Sequence, residues 1–252
     1  MSSIDETSDR AWAALAPHLS GKARDVRRTG TDNWRFLTRC SGLPATGVPK
    51  RALPARFGKH ATLRKRSRHW AQKGIWQRSF EAVREPDLDW VLLDSSVVRA
   101  HAQAAGSRKN RVGDEAFGRS RGGLTTKLHV LVDAPDNPLP VVIGPGQRAD
   151  CRRAADLLAA AEGVGNGLAG KAYDPDAVVA AVQALGAQVV IPSRKNRKVV
   201  RLIDRNLYRD RNKVEHFFSR LKQLRRWATR YEKTASSFLA MVHFVSVLPW
   251  LR

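Results

Sequence analysis

Apolar residues recur along this chain with two different periods, and the change of period falls near residue 86. In residues 9–20, Trp12, Leu15 and Leu19 share one face at helical spacing. Residues 60–83 repeat the pattern through Leu63, Trp70, Ile75, Trp76 and Phe80, and Gly74 is expected to separate a pair of helices there. Beyond Pro86 and the acidic EPDLD the runs shorten. WVLLDSSVVRAH reads as a buried strand closing on a carboxylate. LTTKLHVLVDA and LPVVIGPG read as two more strands joined by the turn PDN. CRRAADLLAAA reads as a helix, LAGKAY as a short strand, DPDAVVAAVQALG as a helix and QVVIP as a strand. The last 45 residues read mostly as helix.

Three strands, helix, strand, helix, strand, helix is the order of an RNase H-like core. The expected fold class is therefore α/β, a mixed sheet with flanking helices, preceded by a small helical N-terminal domain. The boundary is placed at residues 85/86, giving a basic, helical domain over 1–85 and the sheet domain over 86–252. Three segments break the periodicity. GKARDVRRTGTDN reads as a basic loop, residues 106–123 as a Gly/Arg/Lys-rich loop, and LTRCSGLPATGVPKRALP, with its three prolines, as loop or interrupted helix.

Charge narrows the partner. The chain of 252 residues carries a formal net charge of +22. Residues 1–85 contribute +11, residues 86–185 contribute −1 and residues 186–252 contribute +12. Two basic blocks flanking a near-neutral, strand-rich middle imply a polyanion, and nucleic acid is the usual one. A basic structural protein that binds RNA shares that charge. No apolar run of membrane-spanning length and no signal peptide is visible, so no membrane partner and a cytoplasmic location are expected. Cys40 and Cys151 form no CxxC pair, which argues against a zinc ribbon.

Two places carry candidate chemistry. Asp94 follows Trp90-Val91-Leu92-Leu93, and a carboxylate just past a buried strand is held rigidly, as a metal ligand must be; a capping or turn role fits the same pattern. In LYRDRNKVEHFFSRLKQ, Tyr208, Arg211, Glu215 and Lys222 fall within roughly 60° of arc on one helix. Val214, Phe218 and Leu221 lie on an adjacent face. Such a helix packs on a sheet while aiming a carboxylate, two cations and a phenol at one groove. A solvated basic helix with one paired Glu has the same spacing. Arg194, Lys195, Arg197 and Lys198 form a basic cluster suited to phosphate. His101 and His129 are expected as hydrogen-bonded strand-end histidines, and Trp227 and Tyr231 as helix packing.

The spacing Tyr208-x2-Arg211-x3-Glu215-x6-Lys222 resembles the Y-R-E-K signature of bacterial insertion-sequence transposases of the DDE type, and most closely insertion sequence family five. VLLDSSVVRAHAQAAG, GRSRGGLTTKLHVLVDA, AGKAYDPDAV, IPSRKNRK and the segment from RRWATRYEK to the end resemble family blocks in family order. AWAALAPHL, RFGKHATLRKR and WAQKGIW resemble its N-terminal domain. The resemblance implies three carboxylates holding two Mg²⁺ or Mn²⁺ ions, in-line attack on phosphorus, and cutting and joining of element ends. It makes Asp94 the first acid and Glu215 the third, both metal ligands. Tyr208, Arg211 and Lys222, with the 194–198 cluster, become the DNA contacts. Double-stranded DNA, as terminal repeats and target, becomes the partner, with a homodimer on DNA.

The sequence departs from that pattern twice. Where the family block resembles A-D-K-x-Y-D, this chain reads Ala169-Gly170-Lys171-Ala172-Tyr173-Asp174, so the second acid position holds Gly170. Asp174, and less readily Asp133 or Asp176, are the carboxylates to weigh as replacements. Lys50 stands where a tryptophan is expected. Together these imply a degenerate copy that binds DNA and cuts poorly. A non-catalytic DNA-binding protein derived from a transposase is the alternative.

Overall fold

The computed structural model describes residues 9–21, 25, 32–46, 52, 59–106 and 116–251. They group into two compact units. One draws on the chain up to Arg84, on residues 101–106 and on everything from Leu221 onward; the other runs over Glu85–Ala100 and from residue 116 to Arg220.

The first unit is helical. It contains α1 (Asp9–Leu15), α2 (Asn33–Thr46), α3 (His60–Gln72), α4 (Ile75–Ala82) and, past the first strand of the chain, α5 (Ala102–Ala105). Gly74, at φ +62°, takes the left-handed conformation that lets α4 start with only two residues between it and the end of α3. Ring contacts thread the core: Phe36 to Trp70 at 4.8 Å, Trp70 to Trp76 at 5.1 Å and Trp76 to Phe244 at 4.6 Å. Each is an edge-on or tilted pair, the arrangement that aromatic quadrupoles favour. Phe244 belongs to the long terminal helix Ala235–Val247, which is apolar around most of its circumference and correspondingly buried.

The expected loop at 37–54 is partly corrected. Helix α2 runs to Thr46, straight through LTRCSGLPAT. Burial of Phe36, Leu37 and Cys40 along one side outweighs the breaker signal. Pro44 lies near the helix end, where its missing N–H removes only one ladder bond. Lys50, most of residues 47–58, most of the basic loop at 21–33 and residues 107–115 lie outside the described residues.

The second unit is a mixed sheet. Its strands are β1 (Trp90–Ala100), β2 (Gly118–Ser120), β3 (Gly123–Val132), β4 (Pro138–Pro145), β5 (Asn166–Ala169) and β6 (Gln188–Val190). β1, β3 and β4 are antiparallel neighbours, while β5 and β6 add in parallel on the far side of β1. This is the RNase H-like order that the element sequence predicts. Alternation along β1 sends Trp90, Leu92 and Asp94 to one face and Val91, Leu93 and Ser95 to the other. Helices α6 (Ala154–Leu158) and α7 (Asp176–Ala184) cover the second face. There the packing is tight: a β-carbon on Gly167 of β5 would stand 2.4 Å from Val182 Cγ1 of α7.

The Tyr-Arg-Glu-Lys segment is not one continuous helix. It divides into α8 (Arg205–Arg209), a 3-10 turn over Asp210–Asn212 and α9 (Lys213–Lys222). Asp204 caps α8, accepting from the N–H groups of Asn206 and Leu207 at 2.8 and 3.1 Å. Val214, Phe218 and Leu221 are buried, as the spacing predicts, and Phe217 is buried with them. Lys213 Nζ sits 4.8 Å over the Trp90 ring, so the start of α9 lies on the Asp94 face of the sheet.

Candidate active site

Asp94 is not at the end of its strand. β1 continues six residues past it, because β3 keeps pairing as far as Arg99 opposite Thr125. What stops beside Asp94 is the neighbouring strand. β5 pairs Leu93 with Ala169 and ends there, which puts Gly170 abreast of Asp94 at the mouth of the sheet. Gly170 has φ −73° and ψ 169°, extended backbone open to any residue. A β-carbon built on it meets nothing within 4 Å. The backbone here therefore has room for a side chain, and glycine supplies none.

Across from this corner, Arg211 joins the other candidate groups. Its Nη2 donates to Glu215 Oε1 at 3.1 Å and its Nη1 to the Tyr208 hydroxyl at 3.4 Å. Half-buried Asp94 lies within electrostatic reach of both Arg211 and Glu215. Burial pushes the Asp94 carboxyl above the ordinary range, Asp150 and Glu215 push the same way, and the Ser95 N–H and Arg211 pull it back. Asp94, Tyr208, Arg211 and Glu215 are thus brought together. Lys222 ends α9 as an exposed side chain.

Asp150 is a neighbour that nothing in the sequence pattern singles out. It opens the 3-10 turn before α6 and takes Lys127 Nζ at 2.6 Å. Burial alone would raise its carboxyl; bonds from Lys127 and the Ser95 hydroxyl hold it low instead. Along the chain, a lone acid at a helix start signals only a cap. Tyr173, 1% exposed, packs nearby, and its phenol is pushed well above the ordinary value by burial and by the charges of Asp94 and Asp150. His129, also 1% exposed, is lowered to about 4, chiefly by burial. It lines the sheet interior rather than a groove. His101 stacks on Tyr231 at 4.4 Å and accepts from Gln103 N–H through Nδ1; Trp227 is fully buried.

The three carboxylates weighed as replacements have other commitments. Asp174, 3% exposed, accepts from Arg194 N–H at 3.0 Å, from Arg197 Nε at 2.9 Å and from Arg201 Nη2. Burial would raise its carboxyl, but these donors overcome that and hold it low. Asp133 is fully buried, bonded to Asn137 N–H at 2.7 Å on the β3–β4 turn, and pushed up to about 6 by burial. Asp176 is exposed and pairs with Arg197 at 2.5 Å. The basic cluster divides accordingly. Arg194 donates to the Lys171 and Ala172 carbonyls, and Arg197 holds Asp174 and Asp176, so both brace the turn that follows Gly170. Lys195 and Lys198 are exposed and make no ion pair with a described residue.

Hard divalent cations take oxygen donors in a converging set. Among the described residues no group of three His, Cys, Asp or Glu side chains is placed to hold an ion. Glu215 already receives Arg211, and the corner beside Asp94 is a glycine. The described side chains do not fit a complete two-metal site.

Comparison with known proteins places this arrangement. A family model described as "Transposase DDE domain" matches residues 85–247. The chain belongs to the DDE transposases. A second model, described as "Putative transposase of IS4/5 family", matches residues 7–80, within the helical N-terminal region of this transposase. A Brucella ovis protein named "Putative transposase for insertion sequence element IS6501" is 42% identical over 130 residues, covering 51% of this chain and 100% of that one. An uncharacterized Sinorhizobium fredii protein, y4sN, is 31% identical over 110 residues, covering 43% of this chain and 88% of its own length. No solved structure matches the transposase. Family membership carries a general dependence on divalent metal. No helix among the described residues is long and apolar enough to cross a membrane.

Proposed function

We propose that this chain is an insertion-sequence transposase that holds duplex DNA, at its element's terminal repeats and at the target, and whose strand cutting is impaired by the loss of its second acid at Gly170. The observation that carries the reading is the register: Gly170 lies abreast of Asp94, with room for a side chain and none present. Asp94 and Glu215 are the surviving catalytic acids and would be ligands of Mg²⁺ or Mn²⁺ in a complete set. Arg211 fixes the Glu215 carboxylate while bridging to Tyr208, and these two residues with Lys222 offset phosphate charge near the cut. Lys195 and Lys198 have ammonium groups free to meet the backbone. Arg194 and Arg197 shape the loop that presents them. A homodimer on DNA, one chain for each element end, belongs to the same reading.

A second reading, a transposase-derived protein that binds DNA and does not cut, is favoured by the lack of a converging donor set among the described residues. One assay tests both. Duplexes carrying the repeats that flank the gene are incubated with Mg²⁺ or Mn²⁺ and either the unaltered protein or Gly170→Asp. The unaltered protein should bind the duplex yet cut it at least about 100-fold more slowly than the variant, since loss of an outer-shell partner alone costs 10- to 100-fold. Efficient cleavage by the unaltered protein defeats the impaired-enzyme reading. No cleavage by Gly170→Asp favours the binding protein.

A further inference from the structure

Helix α3 is held in its unit along a narrow seam. Only Leu63 and Trp70 of its thirteen residues are buried, and they lie seven apart, one above the other. Arg66 leans inward on the same side, its guanidinium 4.4 Å from the Phe36 ring and 4.9 Å from the Trp70 ring. At about 100° per residue, the arc opposite that seam carries Ala61, Lys65, Arg68 and Gln72. All four are exposed. Lys65, Arg68 and Gln72 make no side-chain hydrogen bond or ion pair with a described residue. Arg64 flanks the arc on one shoulder, with Thr62 and His69 on the other. The helix has no acidic residue, and Lys59 and Lys73 bracket it.

The composition of this arc matters more than its charge. A helix that only grips phosphate needs cations alone. Here two cations are flanked by a methyl group on one side and a carboxamide on the other, the side chains that meet base edges in the major groove. Arg and Lys pair with guanine O6 and N7, Gln pairs with adenine N6 and N7, and a methyl packs on the thymine methyl. From Ala61 to Gln72 the stripe rises about 16 Å. Measured against base pairs stacked about 3.4 Å apart, that spans roughly five of them. A groove about 12 Å wide admits one helix and meets its shoulders with the two backbones.

We infer that α3 is the base-reading element of this protein, with Lys65, Arg68 and Gln72 facing the base edges and Ala61 a methyl contact. Arg64, Lys59 and Lys73 contact phosphate. The inference rests on the duplex-DNA reading proposed above and adds to it which helix and which side chains select the sequence.

Selection from a randomised 20-base-pair duplex library, with the purified full-length chain at fixed salt, tests it. The unaltered protein should enrich a block of roughly five fixed positions. Gln72→Glu should move one preferred adenine to cytosine, because a carboxylate accepts from cytosine N4. A changed preference cannot come from misfolding. Arg68→Ala should weaken the enriched duplex roughly 5- to 150-fold while weakening an unselected duplex only a few-fold. Equal weakening on both duplexes, with base preferences unchanged in both variants, overturns the inference and leaves α3 a phosphate grip; the DNA reading then stands. If the unaltered protein enriches no duplex and binds single-stranded RNA equally well, both readings fall.

Discussion

Replacing Asp174 with alanine removes the acceptor on which two guanidinium groups and a backbone N–H converge. The carboxylate is 4% exposed, while Arg197 and Arg201 keep 25% and 20% of their side-chain surface in contact with solvent. Breaking a fully buried pair by deleting one partner costs about 3–5 kcal/mol. The two arginines here can recover some hydration, so we place the loss at roughly 2–4 kcal/mol. For a chain of this size that lowers Tm by about 5–15 °C. Asp174→Asn keeps the shape and some of the bonds, and should cost about half as much. The pH dependence carries a definite sign. The folded-state carboxyl is held below its ordinary value of 3.8, so its stabilisation is complete above that value and is lost as pH falls through the folded-state value. The gap in Tm between the unaltered protein and Asp174→Ala should therefore be full at pH 7 and should close as the solution is acidified below about 4. Thermal melts followed by circular dichroism at pH 7, 5 and 3.5 measure it. A gap under about 1 °C at pH 7, or one that widens on acidification, refutes the account of Asp174 as the anchor of the turn.

Gly167→Ala should destabilise the sheet unit by about 1–3 kcal/mol in urea unfolding, because the added carbon collides with Val182, and Val182→Ala in the same chain should recover some of that loss. Gly170→Asp, facing open space, should leave the metal-free Tm within about 2 °C, yet Mg²⁺ should raise the Tm of this variant and not that of the unaltered protein. His129 is lowered to about 4 by burial, so the unfolded chain binds the extra proton and stability drops as pH falls from about 6.5 to 4, by roughly 3 kcal/mol at most. Asp133, raised to about 6, works in the opposite sense: its stabilising protonated form is lost as pH rises from 3.8 to 6. The two effects offset each other between pH 4 and 6. Urea unfolding of Asp133→Asn across that range should expose the acid sensitivity due to His129.

Much of the sheet was legible because its strands carry runs of apolar residues bounded by Gly, Pro and Asp. The strand–helix alternation after residue 85 fixed the parallel half. The turn PDN closed the β3–β4 hairpin, and Gly74 divides α3 from α4 where the pattern placed it. Three features were hidden for physical reasons. Asp94 looked like a strand end because the continuous apolar run stops there, but the strand continues on pairing with β3, with Val98 as its next buried residue. The helix at 33–46 was obscured by three prolines, of which only Pro44 falls inside it, at a cost its buried side overrides. The turn that divides α8 from α9 leaves no mark, since a 3-10 segment uses the same residues as a helix. Among the candidate residues, the bond from Arg211 to Glu215 follows from their four-residue spacing on one stretch of helix and turn. Asp150 could not be read in this way, nor could the bonds that engage Asp174, because those depend on contacts between residues 20 or more apart.

The β3–β4 hairpin reaches further than its length implies. Asp136, at its tip, takes the left-handed conformation at φ +70°. Arg220 of α9 grasps both its carboxylate and its carbonyl, the latter at 3.2 Å. The helix that bears Glu215 is thus moored to a turn formed about 80 residues earlier in the chain. A deletion or a stiff β-branched residue at that tip would let the mooring slip and swing an acid it never touches. The placement of Glu215 is therefore set partly from the rim of the sheet, by a residue outside the candidate site.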